Sequence, residues 1–292
     1  GWMSVRKPAV AGMFYDADPE DLRESIDACF LGPYGPGRLP LAAPVVTRDI
    51  VGLVVPHAGY RFSGYAAASA YYELSEDGLP DTAVLIGPSH RGIGSPAAIM
   101  TSGTWLTPLG ETELDSETAR SILAGSNLLN EDERPHLPEH SLEVQVPFLQ
   151  YLSPKIKIIP ILFAIVTWEE ARVYAEELGR AIASALEGKN AIVIASTDLT
   201  HYEPKSEAAN KDRQAISAME ALDYIGLLET VANVDITMCG VVPTAVALSA
   251  CAAMGGKRAE LLTYYSSGDI IGDTSQVVGY GALKVVKGIG ED

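Results

Sequence analysis

His57, His90, His201 and Cys239 each stand at or near the boundary of an apolar run, where α/β proteins display reactive side chains. His57 closes Val54-Val55-Pro56 and opens Ala58-Gly59-Tyr60, while His90 ends Leu85-Ile86-Gly87-Pro88-Ser89. His201 follows Ala191-Ile192-Val193-Ile194-Ala195 through Ser196-Thr197-Asp198-Leu199-Thr200. Cys239 lies in Thr237-Met238-Cys239-Gly240 ahead of another apolar stretch, and His140 opens one in Glu139-His140-Ser141-Leu142-Glu143. Imidazole and thiolate are ligands of zinc, copper and iron, so these residue types together point to a transition metal in one shared pocket.

His57 and His90 are the leading candidate metal ligands, read as sitting at matching ends of adjacent parallel strands about 4.8 Å apart. The competing reading of each is a turn histidine bonded to a nearby carbonyl. Cys239 is either a third ligand or a packed turn cysteine. Asp198 and His201, spaced i, i+3, share a face if the segment turns helically. Asp198 then orients His201, ligates a metal, or caps a helix starting near Pro204. His140 is a candidate ligand, proton shuttle or substrate contact. His136, in Arg134-Pro135-His136-Leu137, reads as a solvated loop residue. Phe14, Tyr15, Tyr60 and Tyr202 lie beside the motifs and suit either an aromatic-substrate pocket or core packing. No Gly-rich phosphate loop, nucleophile elbow, Cys-x-x-Cys pair or helical zinc-protease motif occurs, which removes several enzyme classes.

The elements that must position these residues read as an α/β chain. Continuous apolar runs at 50–55, 82–87 and 191–195 predict buried parallel strands, with further strands at 97–101, 156–163, 261–265 and 276–286. Asp18-Pro19 followed by Glu20 and Asp21 predicts a helix to about Phe30, ended by a Gly/Pro-rich loop reaching Arg48. Helices are also expected over 63–74, 116–124, 141–151 (Ser141 as cap or first-turn residue), 167–186 and 241–254, with two more within 205–231. A polar loop is expected at 127–138.

The 292 residues carry a net charge of −17, which argues against nucleic acid and anionic membrane surfaces as partners. No apolar run approaches the roughly 20 residues of a membrane span. Three cysteines are too few and too scattered for a disulfide scaffold, and a reduced, cytoplasmic setting is expected. Gly1-Trp2 ahead of Met3 reads as a cloning remnant.

The motifs together resemble the Memo family. The matching strings are Ala11-Gly12-Met13-Phe14-Tyr15, Pro56-His57-Ala58-Gly59-Tyr60, Gly87-Pro88-Ser89-His90, Glu139-His140-Ser141-Leu142-Glu143, Ser196-Thr197-Asp198-Leu199-Thr200-His201, Thr237-Met238-Cys239-Gly240 and Gly279-Tyr280-Gly281-Ala282-Leu283. The resemblance implies one α/β domain over 5–287, with a mixed, mostly parallel sheet and flanking helices like class III extradiol dioxygenases. Those enzymes hold Fe(II) with two histidines and a carboxylate. By that resemblance His57 and His90 match the histidine ligands, and Cys239 takes the carboxylate's place. His201 falls at the acid/base position, with Asp198 as its orienter and His140 as a further catalytic candidate. The thiolate departs from the dioxygenase pattern, so the metal is iron(II) or copper, with zinc a further candidate. Two functions follow: a metal-dependent redox enzyme acting on a small, aromatic substrate, or a non-catalytic module binding a phosphopeptide or small ligand in the same pocket.

Overall fold

The computed structural model describes residues 4–41, 48–164 and 166–291. The expected cloning remnant, and residues 42–47 of the expected long loop, lie outside the described residues. Along the chain come β1 (Val5–Arg6), α1 (Pro19–Leu31), β2 (Ile50–Val55), α2 (Tyr60–Asp77), β3 (Thr82–Pro88), β4 (Ala97–Ile99), β5 (Thr104–Thr107) and β6 (Gly110–Glu113). There follow α3 (Ser116–Ala124), β7 (Asn130–Glu131), α4 (Val146–Leu152), β8 (Lys157–Phe163), α5 (Trp168–Leu186), β9 (Ala191–Ser196) and β10 (His201–Glu203). The chain closes with α6 (Lys205–Glu220), α7 (Tyr224–Val234), α8 (Val241–Ala253), β11 (Arg258–Ser266), α9 (Ser267–Ile271) and β12 (Val277–Val286).

Local chemistry sets many of these boundaries. Asp18 caps α1, accepting from the Asp21 N–H at 3.0 Å, with a proline in the first turn. Thr167 caps α5 in the same way, through the Glu170 N–H at 3.2 Å. The wholly buried runs of β2, β3 and β9 form the centre of a mixed sheet ordered β10-β12-β2-β9-β3-β8-β4-β7, with β11 also on β12. β2, β9, β3 and β8 are parallel, while β12 and β4 flank them antiparallel. α2, with α1 and α4, covers one apolar face, and α5, α7 and α8 pack against the other. A smaller sheet, β1-β5-β6, lies apart from the main one. No helix among the described residues is long and apolar enough to cross a membrane.

Three expectations need correction. β2 and β3 are not neighbours, because β9 lies hydrogen-bonded between them. Pairing with the later strand inserts the end of β9, and so Asp198, between the two histidine-bearing strand ends. The segment 141–151 is not one helix: a 3₁₀ turn over Glu143–Gln145 precedes α4, and Ser141 caps nothing. Its hydroxyl instead donates to the Pro88 carbonyl at 2.8 Å. Nor is His136 solvated; it is fully buried.

The cause of the last two corrections is a buried ion pair. Arg6 and Glu143 meet at 2.7 Å with both side chains about 1% exposed. Glu143 also accepts from the N–H groups of Ala9 and Val10 and from the Tyr15 hydroxyl. Arg6 donates to the carbonyls of His136 and Glu139 at 2.8 Å each, with its guanidinium over the Trp105 ring. Glu143 is therefore committed to the amino-terminal segment rather than to a helix first turn, and 136–139 is drawn inside. His136 lies between them, its Nε2 against the Ala98 carbonyl at 2.9 Å. A carbonyl only accepts, so Nε2 carries the proton, and Nδ1 is buried with no partner.

Removing the Glu143 charge leaves the Arg6 guanidinium buried and uncompensated. Glu143→Gln is therefore expected to cost about 3–5 kcal/mol in urea unfolding, and a loss below about 1 kcal/mol would remove this pair from its structural role. Burial, and then the nearby Arg6 charge, depress His136 from 6.5 to about 3. The unfolded chain then binds the extra proton between these values, so this contribution is full above about pH 6.5 and declines as pH falls toward 3. His136→Gln, which keeps a donor for Ala98, should flatten the pH dependence of stability across that window; an unchanged slope would refute the assignment.

Candidate metal centre

The carboxyl ends of β2, β9 and β3 present His57, Asp198 and His90 along one edge of the sheet. Strands two apart stand about 9.6 Å from each other, yet the His57 and His90 rings approach to 5.3 Å, edge to face. They do so by leaning over the end of β9. Cys239 enters from the turn before α8, its Sγ 3.3 Å from His57 Nε2. That turn rests directly on β9: the Gly240 N–H donates to Thr197 Oγ1 at 3.0 Å, and a Cβ at Gly240 would lie 2.6 Å from the Ser196 carbonyl oxygen. One ligand atom from each of His57, His90 and Cys239 falls within 4.8 Å of the others.

The protonation of each imidazole follows from its outer partner. The Ser196 hydroxyl gives its one hydrogen to the Ser141 carbonyl at 2.6 Å, so it can only accept from His57 Nδ1 at 3.0 Å. It accepts also from Gln145 Nε2, whose amide orientation is set by the Tyr71 hydroxyl on Gln145 Oε1. His57 Nδ1 is thereby the protonated nitrogen, and Nε2 faces Cys239 with its lone pair. Glu139 does the same for His90, its Oε2 2.9 Å from Nδ1, leaving His90 Nε2 as the lone-pair nitrogen. Two imidazoles with their outer nitrogens fixed in this way are arranged as metal-ligating histidines usually are.

The local fields agree with that picture. Burial, reinforced by His140 and His90, holds His57 far below its ordinary value, so it is neutral and ready to donate. Burial alone would lower His90, but the hydrogen bond and charge of Glu139 outweigh it and lift it. Burial would raise Glu139, yet His90 and the N–H groups of His90 and Ser141 hold it at about 2. Burial, then the Asp198 carboxylate, push the Cys239 thiol up to about 12. A coordinated dication reverses that last preference and deprotonates a thiol outright. The donor set, two imidazoles and one thiol, therefore fits a transition metal, whose binding displaces the thiol proton and any second proton on His90.

The remaining sequence candidates fall in two groups. Asp198 is buried; its Oδ1 accepts the His57 N–H at 2.8 Å and its Oδ2 lies 3.8 Å from His57 Nε2. It caps no helix, since Pro204 precedes α6 without a side-chain cap. His201 opens β10, its Nδ1 donating to the Thr237 carbonyl at 2.8 Å. Thr237, not Asp198, orients that ring, because residues 198–200 are not helical and so do not put the two on one face. His140 stacks on His90 at 4.7 Å and on Phe14 at 4.4 Å. Glu139, Ser196 and Gln145 were not recognisable as parts of the site from sequence. The only signal was position: Glu139 precedes His140, and Ser196 ends the apolar run leading to Asp198.

A protein-family model described as Memo-like protein matches residues 6–284. A MEMO1 family protein of Methanopyrus kandleri is 47% identical over 290 residues, covering 97% of this chain and 99% of the relative. One from Methanothermobacter thermautotrophicus is 44% identical over 281 residues, covering 96% and 99%. The crystal structure of an uncharacterized Escherichia coli K12 protein aligns with a TM-score of 0.52 at 13% identity. It covers 81% of this chain and 99% of that one, a likeness of fold.

Ser196→Ala removes the acceptor that fixes His57 and should weaken Zn(II) affinity about 10–100-fold in a chelator-competition titration. Wild-type affinity in that variant would show that the hydroxyl does not support the ligand.

Proposed function

We propose that this chain, which belongs to the Memo-like protein family, is a metal-dependent redox enzyme whose centre is built on His57, His90 and Cys239. The reading takes residues 5–287 as one domain of the class III extradiol dioxygenase type. The observation that carries it is the convergence of three ligand atoms whose two imidazoles already have their outer nitrogens engaged. Iron(II) or copper suits this donor set and a redox role, with zinc the redox-inactive competitor. When bound, the metal supplies a Lewis-acid and redox centre for a small aromatic substrate.

The chain's own residues supply the rest. His201 donates from Nδ1 to Thr237, so its Nε2 carries the lone pair and can take a proton from substrate. Burial raises Asp198 from its ordinary value, against the lowering effect of its bond from the His57 N–H and the neighbouring histidines. It can thus hold or pass a proton beside the ligands more readily than a solvated carboxylate. His140 packs against His90 and Phe14 and is partly exposed, which places a further imidazole beside the ligands as a proton carrier. All three cysteines are free, which suits a reducing, cytoplasmic setting. The net charge of −17 disfavours a phosphopeptide as the ligand of this pocket.

The test is elemental analysis of protein purified without oxygen, beside the His57→Ala/His90→Ala and Cys239→Ser variants. About one equivalent of iron or copper is expected in the wild type, lost in the double variant and weakened in Cys239→Ser. His201→Ala should keep its metal and lose turnover of catechols with oxygen. A wild type without metal after reconstitution overturns the enzyme reading and leaves a ligand-binding pocket. Unchanged metal in Cys239→Ser assigns that residue to packing.

A further inference from the structure

Tyr202 combines features that packing does not explain. It has φ +61°, one of few non-glycine residues in the left-handed region among the described residues. For a bulky side chain this conformation is an outlier that costs stability unless the surroundings impose it. The surroundings do impose it. In the β10–β12 ladder His201 pairs with Val278 and Glu203 with Val277, so two steps along β10 match one along β12. Tyr202 is the extra residue, a bulge of the kind that re-aims side chains next to functional sites. Glycine is the usual occupant of a left-handed bulge position.

The strain brings no burial in return. Tyr202 is 70% exposed, the aromatic residue among the large exposed hydrophobics of the described residues. It stands beside the His201 ring at 5.8 Å, inclined by 67°. The bulge also holds His201 in place, with the His201 N–H donating to Thr237 Oγ1 at 2.6 Å. A solvent-facing aromatic ring on a strained backbone thus stands beside the candidate proton acceptor.

We propose that Tyr202 is a recognition residue at the mouth of the metal centre, its ring stacking on a planar aromatic ligand that reaches His201. The assignment rests on the aromatic-substrate reading of the same site and adds the residue that selects for it. A tyrosine ring has only two side-chain torsions and so loses little freedom on contact, which suits a stacking platform. The hydroxyl plays no part in this contact, so phenylalanine should serve as well.

The experiment compares wild type, Tyr202→Gly and Tyr202→Phe by calorimetric titration with catechol, on metal-loaded and metal-free protein, alongside thermal unfolding. Tyr202→Gly is expected to weaken catechol binding about three- to tenfold, while its Tm rises by about 2–3 °C as strain is released. Tyr202→Phe should match the wild type in both. Unchanged catechol affinity in Tyr202→Gly, or a fall in its Tm, overturns the proposal and makes Tyr202 a structural residue. Metal content is measured on the same samples. Wild type that takes up no metal but still binds catechol through Tyr202 defeats the redox-enzyme reading and leaves this one standing. Wild type that binds catechol in neither form defeats the aromatic-ligand assignment itself.

Discussion

The buried pair of Arg6 and Glu143 is the constraint on which the rest of the site depends. A charge taken out of water must be matched on every side, and here the matching groups come from distant parts of the chain. Arg6 gathers the carbonyls of His136 and Glu139; Glu143 gathers the N–H groups of Ala9 and Val10 and the Tyr15 hydroxyl. The stretch between these anchors carries Glu139, His140 and Ser141, with Gln145 just beyond. Glu139 fixes His90, while Ser141 and Gln145 together fix the hydroxyl that fixes His57. A structural ion pair thus sets, at one remove, which nitrogen of each imidazole faces the centre.

The two histidines have the same outer nitrogen engaged, by different means. His57 is held by a hydroxyl in a wholly buried setting and is kept neutral by desolvation. His90 is part-exposed and leans on a carboxylate, whose charge lifts its basicity. One candidate ligand is therefore insulated and the other electron-rich, while the thiol stands beside them on a turn pressed against β9. This asymmetry pairs a dry imidazole with one open to solvent, and His140 and His201 nearby are both partly exposed.

Much of the fold was legible because burial writes itself as continuous apolar runs: β2, β3 and β9 fall where 50–55, 82–87 and 191–195 predicted them. The neighbour relations were not, since pairing between strands far apart in sequence leaves no local trace, and so β9 between β2 and β3 was missed. The β5–β6 hairpin escaped because its strands are short and carry no clear alternation. His57, His90 and Cys239 were readable as residues of metal-ligating type at structural boundaries, and the structure brings them together. His136 was misread because arginine and prolines flank it, and only the guanidinium 130 residues earlier draws that loop inward. The partners Ser196 and Glu139 had no signature, because a hydroxyl or carboxylate becomes an orienting group only through its geometry.

The order of strands also has a kinetic side. His57 and Cys239 are separated by 182 residues, and His57 and Ser196 by 139. The centre therefore belongs to no local fragment; β2 must wait for β9, and the cysteine turn must then settle on β9. Long-range closures of this kind form late in folding. An emerging chain accordingly carries its imidazoles and its thiol as separate groups until nearly all of it has been made. A metal bound at this candidate centre would therefore mark the end-point of assembly, a sign that the whole topology has closed rather than a nucleus that starts it.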